Sequence, residues 1–331
     1  MAILITGAAG FIGFHVSKAL LARGHEVVGI DNLNDYYSPA LKKARLDAIE
    51  PESGFHFHQL DFANAKALDE ALAGHTITQV IHLGAQAGVR YSIDNPMAYI
   101  QSNLVGHANI LEYCRHSDTV DHLLYASSSS VYGGNTKLPF ALDDRTDTPV
   151  SLYAATKRAD ELLSQSYAHL YRLPQTGFRF FTVYGPWGRP DMAIWLFTDA
   201  ILNGRPIKVF NHGDMARDFT YIGDVVAGIV AALNKPPRDD GRLHTFGSTA
   251  PHTVYNIGNN EPEQLLDMIG ILEGALGQEA VKEFLPMQPG DVKATYADIT
   301  AIQKDLGFKP STPLQVGLPR FVDWFRQYHG L

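Results

Sequence analysis

Ala2-Ile-Leu-Ile-Thr6 is a short apolar run, and directly behind it stand Gly7, Gly10 and Gly13 in the string GAAGFIG, followed by an amphipathic segment. No other stretch restricts the fold as much. A strand buried on both faces that passes through a glycine turn into a helix starts a βαβ unit with a phosphate site at the helix N-terminus. Gly7 permits the tight turn, Gly10 lets the backbone approach a pyrophosphate, and Gly13 lets the helix pack closely on the strand. A second strand, His25 to Ile30, ends at Asp31. A carboxylate there accepts hydrogen bonds from an adenosine ribose and repels a 2′-phosphate, so the turn is expected to hold NAD rather than NADP. No Arg immediately follows Asp31 to reverse that preference.

Strand and helix patterns then alternate. Phe55 to Leu60 reads as a strand and Ala63 to Ala73 as a helix; Gln79 to Leu83 is a strand before a helix from Pro96 to Arg115. His122 to Ala126 and Gly177 to Thr182 are strands on either side of a helix from Leu152 to Tyr171. Such alternation predicts a doubly wound α/β fold of Rossmann type, with a mostly parallel sheet and helices on both faces. Ligands bind beyond the carboxyl ends of such strands, so Asp61, Leu83, Ser128 and Thr182 are expected to converge on one cleft. After about Gly185 the pattern loosens into Pro- and Gly-rich connections between a helix at Ala193 to Leu202, a short strand at Pro206 to Phe210, and helices at Leu265 to Leu276 and Ile299 to Leu306. The expected division is a nucleotide-binding domain over residues 1–184 and a smaller mixed α/β lobe over 185–331. Parts of 220–260, namely the helix Val225 to Leu233 and the strand Tyr255 to Gly258, are expected to return to the first domain.

Composition narrows the function classes. With 331 residues, 45% of them hydrophobic, the chain can bury one large core or two fused ones. Its 27 Lys and Arg against 35 Asp and Glu give a net charge of −8 with no basic run, which argues against nucleic acid as a partner. A single cysteine, Cys114, excludes an internal disulfide and fits a reducing compartment. The N-terminal apolar run is too short to span a membrane and carries no basic leader, so a cytoplasmic location with no membrane partner is expected. Neither HExxH nor a Cys/His spacing occurs, so no metal is expected, and the absence of GxSxG around the serines argues against a hydrolase triad.

The chemistry-bearing candidates are Tyr153 and Lys157 in SLYAATK, which follow Ser127 to Ser130 in SSSSVYG. Residues four apart on a helix share a face, so phenol and ammonium can reach one substrate. Lowering a Tyr from about 10 to about 7 takes about 4 kcal/mol of phenolate stabilisation, which a neighbouring cation can supply. The serine hydroxyls can orient or relay a proton, or they can simply satisfy backbone groups at a strand end. Tyr36, Tyr37, Trp187 and Trp195 are open to either sugar contact or packing.

GAAGFIG, Asp31, Asp61, HLGAQAGVR, SSSSVYG, YAATK and RDFTYIGDV occur in the order found in extended short-chain dehydrogenase/reductases, and the chain resembles that family over nearly its whole length. DNLNDYYSPALKKARL, AGVRYS, FFTVYGPWGRPDMA and MQPGDV resemble the UDP-glucuronate 4-epimerase branch more narrowly. The resemblance implies a homodimer, a UDP-sugar substrate, and a tightly bound NAD regenerated in each turnover. It implies that Tyr153 is the acid/base at the sugar 4-hydroxyl, that Lys157 bridges the nicotinamide ribose, and that Ser128 sits by the 4-oxygen. Further nucleotide contacts are implied at Phe11, Ile12, Asn32, Asp61, Phe62, Leu83, Ala85 and Asn103, and contacts to the UDP-sugar at Arg217 and Asp291. Gln288 stands where hexose epimerases often carry a second Arg. Arg189 and Arg90 are both candidates near a C6 carboxylate, with Thr182, Ser128 and Ser129 preferred as its direct contacts and Arg189 as a nearby positive guard. UDP-glucuronate decarboxylation, epimerisation of a neutral UDP-sugar, and a non-catalytic NAD-sensing protein remain open alternatives.

Overall fold

The structure, a computed structural model, describes residues 1–287 and 292–331, so Gln288 and Asp291 lie outside the described residues. The first six strands are Ala2–Thr6 (β1), Glu26–Asp31 (β2), Phe55–Gln59 (β3), Ile77–His82 (β4), His122–Ser128 (β5) and Gln175–Phe180 (β6). Thr182–Tyr184 (β7), Ile207–Val209 (β8), Ala216–Tyr221 (β9), His252–Ile257 (β10), Pro262–Gln264 (β11) and Lys282–Phe284 (β12) follow. Seven of them make one parallel sheet in the order β10-β6-β5-β4-β1-β2-β3.

β1 is buried at all five positions, and its side chains alternate between two cores. Ile3 and Ile5 join a core that also contains Phe14 of the helix Phe11–Leu21, Ile229 of the helix Ile222–Leu233, and Ile302 of the helix Thr300–Leu306. Ala2 and Leu4 join the opposite core with Leu68 of the helix Ala65–Leu72 and Ile110 of the helix Gly106–His116. Burial of the strand on both faces explains its continuous apolar run. Strand order reverses at β1, whose neighbours are β2 on one side and β4 on the other, which leaves a crevice at their carboxyl ends.

Three differences from the sequence expectations affect the site. The expected strand Gly177 to Thr182 breaks at Phe181, and Thr182 begins β7, which pairs with β9 in a separate three-stranded sheet. The backbone at Thr182 thus leaves the seven-stranded sheet for the three-stranded one. The helix expected from Pro96 to Arg115 is helical from Pro96 to His116, but Ile100–Val105 is wound as a π-helix, and Asn103 sits within it. The third is the helix Leu314–His329, where Pro319 lowers helix propensity although Leu314, Leu318, Phe321, Val322 and Phe325 keep helical spacing. These five residues pack in a third core with Met268, Ile269 and Leu272 of the helix Leu265–Leu276.

Candidate active site

A cavity of about 500 Å³ opens at the carboxyl ends of β1, β4 and β5. Its floor is the glycine turn. Gly7 has φ +69, and a Cβ on Gly13 would lie 2.0 Å from the Gly7 carbonyl oxygen, so the first and third glycines are required by backbone geometry and packing respectively. Beside the turn, Asp31 accepts from Ala9 N at 3.2 Å and Leu33 N at 2.9 Å. Burial raises the Asp31 carboxyl above its ordinary range, against the opposing charge of Lys42.

Tyr153 lies in the first turn of the helix Leu152–Tyr171, which starts where Ser151 Oγ accepts from Ala154 N at 3.1 Å. Lys157, one turn on, is buried and donates through Nζ to the Ala126 carbonyl at 3.0 Å and to Asp160 Oδ2 at 3.1 Å. The ammonium therefore ties the helix to the end of β5. Burial pushes the Asp160 carboxyl up to about 7, while Lys157 pulls it the other way. Ser128 ends β5; its Oγ accepts from Ser130 N at 3.2 Å and is 2.9 Å from Ser130 Oγ. The cavity wall brings together Gly7, Gly10, Phe11, Ile12, Gly13, Asp31, Asn32, Phe62, Leu83, Ala85, Ser128, Ser129, Tyr153, Lys157, Thr182, Arg189 and Arg217.

Asp61, Asn103 and Arg90 are not on that wall. Asp61 is exposed and accepts from Asn32 Nδ2 at 3.2 Å and Ala63 N at 2.9 Å, which shapes the adjoining loop. The buried Asn103 amide spans two segments: it accepts from Gln86 N at 2.8 Å and donates to Gln86 O at 3.1 Å and Thr156 Oγ1 at 3.0 Å. It acts on the loop after β4 and on the Tyr153 helix. Arg90 lines an adjoining cavity of about 240 Å³ with Tyr184, Phe210 and Phe219, and Thr182, Arg189 and Arg217 face both cavities.

The model of the family described as "NAD dependent epimerase/dehydratase family" matches residues 3–258. The chain belongs to that family. It is 51% identical to protein CapI of Staphylococcus aureus, over 99% of each chain, and 48% identical to a probable UDP-glucuronate 4-epimerase of Rhizobium meliloti, over 99% of this chain and 97% of that one. The crystal structure of UDP-glucuronic acid 4-epimerase from Bacillus cereus, in complex with UDP-glucuronic acid and NAD, superposes with a TM-score of 0.89 at 36% identity. That match covers 99% of this chain and all of the other.

Several residues that support the cavity carry no signal in the sequence patterns above. Lys42 and Arg45 share a face of the helix Pro39–Asp47. Lys42 Nζ donates to Asn34 Oδ1 at 2.7 Å and lies 3.9 Å from Asp31 Oδ1. Arg45 is fully buried and donates to Ala9 O at 2.9 Å, Trp187 O at 2.6 Å and Gly188 O at 3.1 Å. One guanidinium thus joins the glycine turn to the loop that carries Arg189. Behind Ser128, Glu161 accepts from Ser127 Oγ at 2.6 Å, from Arg158 Nη1 at 2.7 Å, and from Arg179 Nε and Nη2 at 2.8 and 2.9 Å. Burial alone would raise the Glu161 carboxyl, yet Arg179 and the other donors hold it below its ordinary range. Asp160 and Glu161 stand three and four residues beyond Lys157, a spacing that could have revealed them. Arg179 and Arg45 leave no comparable local pattern.

Proposed function

We propose that this chain interconverts UDP-glucuronate and UDP-galacturonate as an NAD-dependent 4-epimerase, acting through a transient 4-keto sugar. The observation that carries the reading is the single cavity shared by the glycine turn, the Tyr153–Lys157 face, Ser128 and the Thr182–Arg189 wall. Relatives and a solved structure named for UDP-glucuronate epimerisation support the choice of sugar.

The residues present fit NAD. The crowded Gly7–Gly13 turn leaves room for a pyrophosphate against the backbone where side chains would block it, and the helix Phe11–Leu21 presents its N-terminus there. In this reading Asp31 would bind the adenosine ribose and Lys157 the nicotinamide ribose. Bound there, NAD supplies a hydride acceptor that returns the hydride within the same turnover. Tyr153 takes the proton from the sugar 4-hydroxyl and gives it back after the keto sugar has turned, with the Lys157 ammonium stabilising the phenolate. Ser128 orients the 4-oxygen. Thr182 and Ser129 hold the C6 carboxylate with Ser128, and Arg217 binds the diphosphate while the sugar swings. Asp291 is proposed as a further contact on the nucleotide side.

The same reading includes a cytoplasmic homodimer. Cys114 is buried as a free thiol, which suits a reducing compartment. No described helix is long and apolar enough to cross a membrane. Met97, Val105, Leu162 and Leu170 are exposed on the helical run from Pro96 to His116 and on the Tyr153 helix, and pairing both segments with a second copy would cover them.

The test is incubation of the purified protein with UDP-glucuronate and no added NAD, followed by chromatography and mass spectrometry. UDP-galacturonate of unchanged mass without accumulating NADH is expected. A product lighter by carbon dioxide would instead make the chain a decarboxylase, and full turnover by Tyr153→Phe would remove Tyr153 as the acid/base.

A further inference from the structure

Asp191 lies between β7 and the helix Ala193–Leu202 and receives both arms of the Arg189 fork, from Nε to Oδ1 at 2.9 Å and from Nη2 to Oδ2. Tyr36 OH donates to the same Oδ2 at 3.0 Å. Tyr36 comes from the segment after β2, so this carboxylate also links the two sides of the cavity. Burial would raise the Asp191 carboxyl, but Arg189 and Tyr36 hold it below its ordinary range, and it is charged at neutral pH. The guanidinium that faces the sugar end is therefore already engaged by a carboxylate of the protein.

That arrangement matters for a reaction in which the sugar must present both faces. A guanidinium and a carboxylate pair through two parallel charge-assisted hydrogen bonds, which fix orientation as well as contribute affinity. A substrate carboxylate held that way would keep the ring in one presentation. Hydroxyl groups such as those of Ser128, Ser129 and Thr182 rotate and donate singly, so they can follow a carboxylate as the ring turns.

We propose that Asp191 is a positioning residue that keeps Arg189 from pairing with the C6 carboxylate, leaving the acid to neutral hydroxyls and the keto sugar free to turn. The proposal rests on the 4-epimerase reading above. Without the counter-charge, Arg189 holds the carboxylate before and after the turn but not during it, which tightens binding and slows the turn.

The experiment measures steady-state conversion of UDP-glucuronate and the Kd of UDP-glucose, which lacks the carboxylate, for the full-length protein. Asp191→Asn lowers both KM and kcat for UDP-glucuronate, each by roughly tenfold for one added charge-assisted contact, and leaves the UDP-glucose Kd unchanged. Asp191→Glu, which retains the charge, returns both constants toward wild type. Tyr36→Phe loosens Asp191 without removing it and moves both constants the same way by a smaller factor; it decides the matter if Asp191→Asn does not fold. A raised KM with a lowered kcat in the folded variant, or an equal change in UDP-glucose affinity, overturns the proposal. Failure of the wild-type protein to form UDP-galacturonate refutes the 4-epimerase reading itself, a result separate from a missing KM and kcat split.

Discussion

Replacing Arg179 with Met tests the buried ion pair behind the serine strand. Arg179 and Glu161 are each 0% exposed, and the guanidinium gives Glu161 two hydrogen bonds, at 2.8 and 2.9 Å, and Tyr132 OH a third at 3.0 Å. Two charge-assisted bonds are worth about 1.5 to 3 kcal/mol each, and breaking a buried pair from one side typically costs about 3 to 5 kcal/mol. Arg158 still reaches Glu161, so a loss of about 3 to 4 kcal/mol is expected from urea unfolding at pH 7. The pH dependence separates this cause from a packing defect. Once Arg179 is gone, burial dominates and the folded-state pKa of Glu161 rises above its unfolded value. The native state then holds a proton that the unfolded chain has released, a contribution present at low pH and lost as pH rises through the folded pKa. The deficit is therefore smaller at about pH 5 than at about pH 7. Arg179→Met/Glu161→Gln, which removes the charge from both sides, recovers part of the loss. A deficit below about 1 kcal/mol, the scale of an ordinary surface change, or one that does not vary with pH, would refute the reasoning. Since Ser127 donates to Glu161 one residue before Ser128, kcat is expected to fall alongside stability.

Three further outcomes are expected. Arg45→Met leaves Ala9 O, Trp187 O and Gly188 O without their shared donor, so it should destabilise the fold by at least about 3 kcal/mol in urea titration and loosen NAD retention; unchanged stability would show that the clamp is dispensable. Lys42→Met removes the cation nearest Asp31, so less nucleotide should remain with the protein after gel filtration at pH 7, and retention equal to the parent would dissociate Lys42 from the ribose site. Acid stability should fall steeply below about pH 6.5, the unfolded value of histidine. Burial holds His107 and His252 at about 3, and His15 and His122 at about 4. The unfolded chain therefore binds protons that the native state refuses, and each such His removes up to about 1.4 kcal/mol per pH unit, measurable as a drop in urea midpoint between pH 6.5 and 4.5.

Much of the nucleotide side was legible in the chain because its signals are local. GAAGFIG marks a turn whose geometry admits glycine at Gly7 and Gly13, and Asp31 ends the next strand with no other residue needed to interpret it. Tyr153 and Lys157 are four apart on one helix, so spacing alone puts them on a common face. Apolar runs likewise specified inner strands such as β1, because strands buried on both faces need continuous apolar sequence. The helix Leu314–His329 was missed because Pro319 breaks the propensity pattern while packing on Leu265–Leu276 still secures the helix.

The sequence alone determined which chemical groups are present and which of them share a strand end or a helix face. Only the tertiary structure decided which charges are already engaged. Arg189 reads as an available cation until Asp191 and Tyr36 are placed around it, and Arg179 reads as a strand residue until Glu161 is found against it. Asn103 reads as a cofactor contact, and only the fold shows that its amide also ties Gln86 to Thr156. The reason is physical: propensity and periodicity act over a few residues, whereas desolvation, ion pairing and amide satisfaction depend on whatever the fold brings within about 3 Å.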